Sequence, residues 1–405
     1  MGEPKLRFKA DDGADFSGWE EKTLGELCAP LTYGMNAAAT KFDGENRYIR
    51  ITDIDDETHA LLPNDIVSPS GELDDKYLVK KGDILLARTG ASTGKSFLYH
   101  PKDGKLFYAG FLIKAHVLPS SDDYFIYSQT LTDRYWKWVK TASMRSGQPG
   151  INANEYASYS FAVPSLPEQR KIADFLSAVD AVIAAQQAEV DAWEQRKKGV
   201  MQKLFSQEVR FKADDGSDFP KWEEKTLGEY CTQLKASIDP RKSPNTIFAE
   251  YSMPAFDESR KARFVSGREM NSARKILSEP CVLVNKLNVR KRRIWLVKNP
   301  EQNAVCSSEF VPLSSNAINL TFLSYFALTD RFTSYLMDCS SGSSNSQKRV
   351  VPDVILNYVM QIPSLPEQRK IADCLASMDE VIQKSKGELA KWRELKKGLL
   401  QQMFV

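Results

Sequence analysis

The chain contains itself twice. Leu6 to Cys28 reads LRFKADDGADFSGWEEKTLGELC and Val209 to Cys231 reads VRFKADDGSDFPKWEEKTLGEYC, with 18 of 23 positions identical. A second pair opens PSLPEQRKIAD at Pro164 and again at Pro363, and its likeness continues through Trp193/Trp392 and the Lys-Lys-Gly at Lys197 and Lys396. Each half is therefore a head, an interior and a tail, and whatever one half folds into the other must fold into as well. The interiors, 29–163 and 232–362, differ in length by four residues and are almost unrelated before their final stretch. Matched frames around unmatched contents imply one shared mechanical task for the frames and two different tasks for the contents.

The 405 residues suggest two or three domains. With 42% hydrophobic and 27% charged residues the chain has an ordinary globular composition. No apolar run reaches the ~18–20 residues that span a bilayer, and Met1-Gly2-Glu3-Pro4-Lys5-Leu6 has no apolar stretch behind its charges, so a cytoplasmic location is expected. The six cysteines are at least 25 residues apart, which excludes a Cys-x-x-Cys metal or redox site and leaves buried thiols as the simplest reading. His59, His100 and His116 have no spacing or neighbours that would make a base or metal ligand.

Short apolar runs bounded by Gly, Pro, Asp and Ser predict strands at Tyr48–Ile51, Asp83–Ala87, Phe111–Ile113, Cys281–Val284 and Ile294–Val297. One helix is expected before each tail, around Tyr124–Ala142 and Leu320–Cys339, making each interior a mixed α/β domain.

The tails predict long helices. Ser165-Leu166-Pro167-Glu168 and Ser364-Leu365-Pro366-Glu367 fit a capping box. From there apolar residues recur at spacings of four and three: Ile172, Leu176, Val179, Ile183, Val190 and Trp193 in one tail, Ile371, Leu375, Met378, Ile382, Leu389 and Trp392 in the other. Gln186, Lys197, Ser385 and Lys396 interrupt the two seams. A seam held for about 40 residues, or ~60 Å, suits a coiled coil better than a helix packed on its own domain. Because domain termini lie close together, the second tail is expected to return alongside the first. The expected fold is α+β: two mixed domains, 1–163 and 207–362, and two long helices, 164–206 and 363–405, paired antiparallel in a pseudo-two-fold dumbbell.

Two like domains with unlike interiors suit a long ligand recognised at two places, and duplex DNA is the natural candidate. Charge supports this unevenly: interior 232–362 carries 18 Lys and Arg against 11 Asp and Glu, whereas 29–163 carries 15 against 16. The strongest basic run holds Lys286, Asn288, Arg290, Lys291, Arg292 and Arg293, cations for phosphates and an amide able to pair with adenine; a solvated charged hairpin is the alternative. Asn345, Gln347, Lys348 and Arg349 form a polar loop before the second tail, aligned with Arg145 and Gln148 before the first. The two glutamines coincide at the tail offset, so a frame role is as open as base reading. In the first interior, Arg88, Thr89, Ser92, Thr93, Lys95 and Ser96 lie on a Gly-rich segment resembling a phosphate-binding loop. Its spacing fails, with three residues between Gly90 and Gly94 where four are needed. The segment could still offer donors to a DNA groove, or be a plain turn. Asp53, Asp55, Asp56 and Glu57 read as a solvated acidic loop, and no active site is found. Nucleotide hydrolysis at Gly90–Ser96 and a protein-binding scaffold without DNA preference are the competing readings.

The doubled PSLPEQRKIAD helix start, the Trp-Glu-Glu-Lys-Thr-Leu-Gly-Glu heads, the run Tyr48 to Ile54 and Gly82-Asp83-Ile84-Leu85 together resemble the specificity subunit of type I restriction-modification systems. That resemblance covers the whole chain. It implies two target recognition domains reading the parts of a split asymmetric site on double-stranded DNA, with the helix pair as a ruler. It also implies a non-catalytic chain with no cofactor of its own. Two methyltransferase subunits would use S-adenosylmethionine to methylate adenine, and restriction subunits would use ATP and Mg; the methyltransferase would dock on the helices and the adjoining domain surface.

Overall fold

The structure is a computed structural model that describes residues 4–144, 147–342 and 347–404. Its contacts divide the chain into two compact units, 1–187 with 387–405, and 188–386. Each unit thus holds one interior with its frame, half of the helix Leu166–Phe205 and half of the helix Leu365–Met403.

The repeated heads and tails close each interior at its two ends. Glu20–Thr23 pairs antiparallel with Ser160–Val163, and Glu223–Thr226 pairs the same way with Val359–Ile362. The Glu-Gln-Arg-Lys at each helix start then fastens frame to core. Glu168, fully buried, takes a bidentate ion pair from Arg7 at 3.0 and 2.8 Å, and Glu367 takes the same pair from Arg210 at 3.0 and 2.7 Å. Such a fork fills both carboxylate oxygens, which is what a charge without water needs. Gln169 accepts from the Asp122 amide and donates to the Pro164 carbonyl; Gln368 does so with Asn319 and Pro363. Lys171 and Lys370 reach the heads at Asp11 and Asp214.

These contacts correct the expected capping box. Glu168 and Glu367 are taken by the head arginines, and the hydroxyls of Ser165 and Ser364 are buried with no hydrogen-bond partner. The helix start is held by frame salt bridges, a far stronger demand on a buried carboxylate than one backbone amide.

Inside the frames, two sequences with almost nothing in common fold alike. In the first unit a four-stranded sheet runs in the order Thr32–Tyr33, Leu112–His116, Asp83–Ala87, Ser96–Leu98. In the second the order is Thr232–Gln233, Phe310–Ser314, Cys281–Asn285, Ile294–Val297, again all antiparallel. A parallel pair follows in each, Arg47–Ile49 with Leu106–Tyr108 and Ile247–Tyr251 with Ala304–Ser307. The predicted strands are found, although the first stops at Ile49 and the third begins at Leu112.

Each expected single helix is two. Asp123–Gln129 precedes Asp133–Ala142, and Leu320–Phe326 precedes Asp330–Asp338, because Thr132 and Thr329 turn their hydroxyls to cap the second helix of each pair. These helices, the sheet and the first turns of a long helix share one core. It contains Phe125, Tyr156, Phe161, Ile172 and Leu176 in the first unit, and Phe322, Phe332, Ile371 and Leu375 in the second.

Within each unit the long-helix halves run antiparallel. In the first, Lys396 meets Asp180 and Arg393 meets Gln187; in the second, Lys197 meets Asp379 and Lys386 meets Glu194. Of the predicted seam, Ile172, Leu176, Val179, Val190, Ile371, Leu375, Ile382 and Leu389 are buried, while Ile183, Trp193, Met378 and Trp392 are half-buried. Ile172, Leu176, Ile371 and Leu375 belong to the domain cores, so the seam begins as a helix-to-domain contact.

Candidate nucleic-acid interface

Three loops meet at one end of the sheet in each unit. In the first unit, the loop of the 83–98 hairpin, the turn at Ala109–Phe111 and the segment before the last short helix are joined by backbone hydrogen bonds. Arg88 N donates to Phe111 O at 3.0 Å, Ile151 N to Arg88 O at 2.9 Å, and Gly90 N to Pro149 O at 3.0 Å. In the second unit the 281–297 hairpin does likewise: Lys286 N donates to Glu309 O at 2.8 Å, Val350 N to Lys286 O at 3.0 Å and Asn288 N to Lys348 O at 2.9 Å. The basic run and the polar loop picked out separately in the sequence are thus neighbours, bridged at Leu287 and Arg349, and the first unit repeats that bridge at Thr89 and Gly150.

The furnishings differ. On the first unit the Arg88 guanidinium lies 4.7 Å over the ring of Tyr33, Phe111 is 64% exposed and Gln148 is exposed beside Gly90. On the second, Arg290 and Lys291 are exposed, Lys286 and Lys348 are half-buried, Gln347 is exposed, and exposed Arg349 reaches Glu309 at 3.3 Å. The sequence points to neither Tyr33 nor Phe111 as a contact: Tyr33 ends the strand Thr32–Tyr33 and Phe111, just before Leu112–His116, reads as the start of that strand, and only their approach to Arg88 brings them to this surface.

Several candidates are withdrawn. Lys95 is buried, its ammonium 2.7 Å from the Ile54 carbonyl and 2.6 Å from Asp56, and Ser96 is buried between His59 and Thr130. Thr93 is buried and donates to Gly90 O. A strand, Ser96–Leu98, follows this Gly-Lys-Ser where a phosphate-binding loop would open a helix. Gly94, at φ 95°, is required there because a Cβ would lie 2.6 Å from Val139. Arg293 is buried and forks onto Asp257 at 2.7 and 2.6 Å, and Arg292 is tied to the Leu328 carbonyl and Asp330. Asn288 has φ 52° and its amide oxygen is buried without a partner, so a left-handed turn, which Asn tolerates well, explains this residue better than adenine reading. Thr89 and Ser92 remain half-buried at the loop, while Arg145 and Asn345 lie outside the described residues.

The other titratable groups belong to the fold. Asp53, expected in a solvated loop, is buried and held by Arg50 at 2.9 and 2.7 Å, Asp55 caps Thr58, and Asp56 meets Lys95. Burial pushes the thiols of Cys28, Cys231, Cys281 and Cys306 up to about 12, as inert core thiols require. Cys339 is exposed and Cys374 is half-buried, against the expectation that all six are buried. No group of three potential metal ligands and no helix long and apolar enough to cross a membrane occurs among the described residues.

Two copies of one module, each presenting a three-loop surface on a shared frame, define a duplicated recognition protein. Residues 17–192 match the family described as Type I restriction modification DNA specificity domain. The chain is 25% identical over 348 residues to the type I restriction enzyme MjaVIII specificity subunit of Methanocaldococcus jannaschii, covering 80% of this chain and 79% of that protein. It is 20% identical over 187 residues to the type I restriction enzyme HindI specificity subunit of Haemophilus influenzae, covering 45% and 41%. In fold it resembles the crystal structure of a type I restriction-modification S subunit from M. genitalium, with TM-score 0.59, 17% identity and 100% and 99% of the chains covered. A structure solved in work on complex assembly of the type I R-M system gives TM-score 0.56 at 16% identity, covering 95% and 97%. Residues 17–192 thus match the type I restriction-modification DNA specificity domain, and the chain as a whole is similar in sequence and fold to type I specificity subunits.

Proposed function

We propose that this chain is the DNA-reading subunit of a type I restriction-modification complex, non-catalytic itself, with each unit reading one part of a split asymmetric site. The observation that carries this reading is the three-loop surface, built at the same place in both units and furnished with aromatics and one stacked arginine in the first, with cations in the second. A common mount with unlike furniture suits two unlike half-sites. The residues left to make contacts are Arg88, Thr89, Ser92 and Gln148, and Lys286, Arg290, Lys291, Gln347, Lys348 and Arg349. Methylation of adenine with S-adenosylmethionine belongs, in this reading, to two methyltransferase subunits, and cleavage driven by ATP and Mg to restriction subunits. The helices, each about 40 residues and ~60 Å long, would set the spacer.

The test is to map methylated positions on DNA exposed to the assembled methyltransferase complex. A single two-part sequence is expected; methylation unrelated to sequence, or partner capture with no DNA preference, would reduce the chain to a scaffold. Inserting two heptads into both long helices should lengthen the spacer, and an unaltered spacer rejects the ruler.

A further inference from the structure

The second unit carries an element with no counterpart in the first. Between its parallel-paired strand Ile247–Tyr251 and the strand Arg274–Ile276 the chain forms a helix, Met253–Glu258, a tight turn, and an added edge strand, Arg263–Ser266, antiparallel to Ile247–Tyr251. The corresponding stretch of the first unit, from Ile49 to Val67, holds a single 3-10 turn and one isolated bridge.

The turn is anchored beside the three-loop surface. Asp257, in the last turn of the helix, receives the fork of Arg293, which ends the 286–293 loop, and Phe256 packs edge-on against Trp295. The hydrogen bonds from Arg293, joined by the nearby Lys291 charge, hold the Asp257 carboxyl below its ordinary range. Arg260 then closes the helix in the left-handed region at φ 51°, its amide bonded to Ala255 O and its guanidinium 4.9 Å over the Phe256 ring. The acids are spent: Asp257 on Arg293, Glu258 on Arg263. Arg260 and Lys261 are exposed and have no ion pair among the described residues, and Phe264 next to them is 69% exposed.

We propose that the Arg260–Phe264 turn is a second DNA contact of this unit, gripping the duplex backbone next to the bases read by the three loops. Two unneutralised cations on a fixed turn, flanked by a bare aromatic ring, match a sugar-phosphate strand: the cations meet phosphates and the ring lies against sugar. The contact carries no sequence information, and it gives the second unit a grip that the near-neutral first unit lacks. It rests on the DNA-reading function proposed above.

The experiment measures log affinity against log salt for the full chain in its assembled complex, on a duplex carrying its site and on an unrelated duplex. R260A/K261A should lower the slope by about 1–2, at roughly 0.9 per lost phosphate contact. Both duplexes should be weakened by a similar factor, with the methylated positions unchanged. Arg260→Lys, which keeps the charge, should keep the slope. An unchanged slope in R260A/K261A, with Arg290→Ala still weakening binding, overturns the turn as a contact and leaves the DNA reading standing. No salt dependence in the unaltered complex sinks the DNA reading itself.

Discussion

The ammonium of Lys396 lies 2.8 Å from the carboxylate of Asp180, at a position where the apolar repeat of its helix breaks. The second unit repeats the pair with the helices exchanged, Lys197 to Asp379 at 2.6 Å. Each aspartate also accepts a hydroxyl from its own domain, Tyr124 on Asp180 and Tyr325 on Asp379, so helix, partner helix and domain meet at one polar node. A half-buried charge pair in an apolar seam penalises other registers, because a slip would strand the charge. Lys396→Met should lower stability by about 1–2 kcal/mol, the scale of a half-buried pair. D180K/K396D should recover about half of the larger loss in Asp180→Lys, since Tyr124 still lacks its acceptor. Denaturant melts of the unaltered protein, Asp180→Lys, Lys396→Asp and D180K/K396D give the coupling; a coupling near zero would show that the node does not set the register.

Lys95 tests the phosphate-loop resemblance. Its ammonium satisfies the buried Ile54 carbonyl, and Asp56 at its outer edge is mostly solvated. Lys95→Ala should therefore cost about 1–3 kcal/mol, the cost of an orphaned buried acceptor. Neither the parent nor the variant should bind ATP in a direct titration of the isolated chain.

The basic run should divide in two. Arg290→Ala with Lys291→Ala should leave the melting temperature within about a degree, as surface changes do, and weaken DNA binding with a shallower salt slope. Arg293→Ala should instead melt early, by about 2–3 kcal/mol, because Asp257, and with it the helix Met253–Glu258, loses its tie to the hairpin. Equal effects on stability from the two variants would contradict the burial that separates them.

The frames were legible in the sequence and the interiors were not, for a physical reason. Glu168 and Lys171 are tied to the repeated head, at Arg7 and at Lys9 and Asp11, and Gln169 clamps the backbone of Asp122 and Pro164, so keeping the contacts keeps the letters. The sheet order, by contrast, is set by pairings such as Leu85 with Lys114 and Leu283 with Pro312, which ask only for a suitable pleat and apolar core. Many letters satisfy that, so two interiors share a topology without sharing residues. Among the candidate contacts, charge and loop character could be read, but whether an arginine faces water or a buried carboxylate depends on what packs across from it. Asp257, 36 residues before Arg293, is invisible from the run itself.

His59 should make the first unit sensitive to mild acid. Its ring is buried, with Nδ1 3.1 Å from the Ser96 hydroxyl and its edge toward Trp136, and it faces Asp55 and the cations Lys95 and Lys396. Burial lowers its pKa, the Ser96 hydrogen bond opposes this only in part, and the two cations lower it further. The unfolded chain takes up a proton at about 6.5, while the folded chain resists until its own lower value. Between those two points the unfolded state holds more protons, so stability is fully present above about pH 6.5 and is lost as the pH falls below it, by at most about 1.4 kcal/mol per pH unit. His59→Gln removes the titration. The gap in unfolding free energy between the unaltered protein and His59→Gln should narrow from pH 7 to pH 5.5, and a gap that stays constant would mean that His59 gains its proton as readily folded as unfolded.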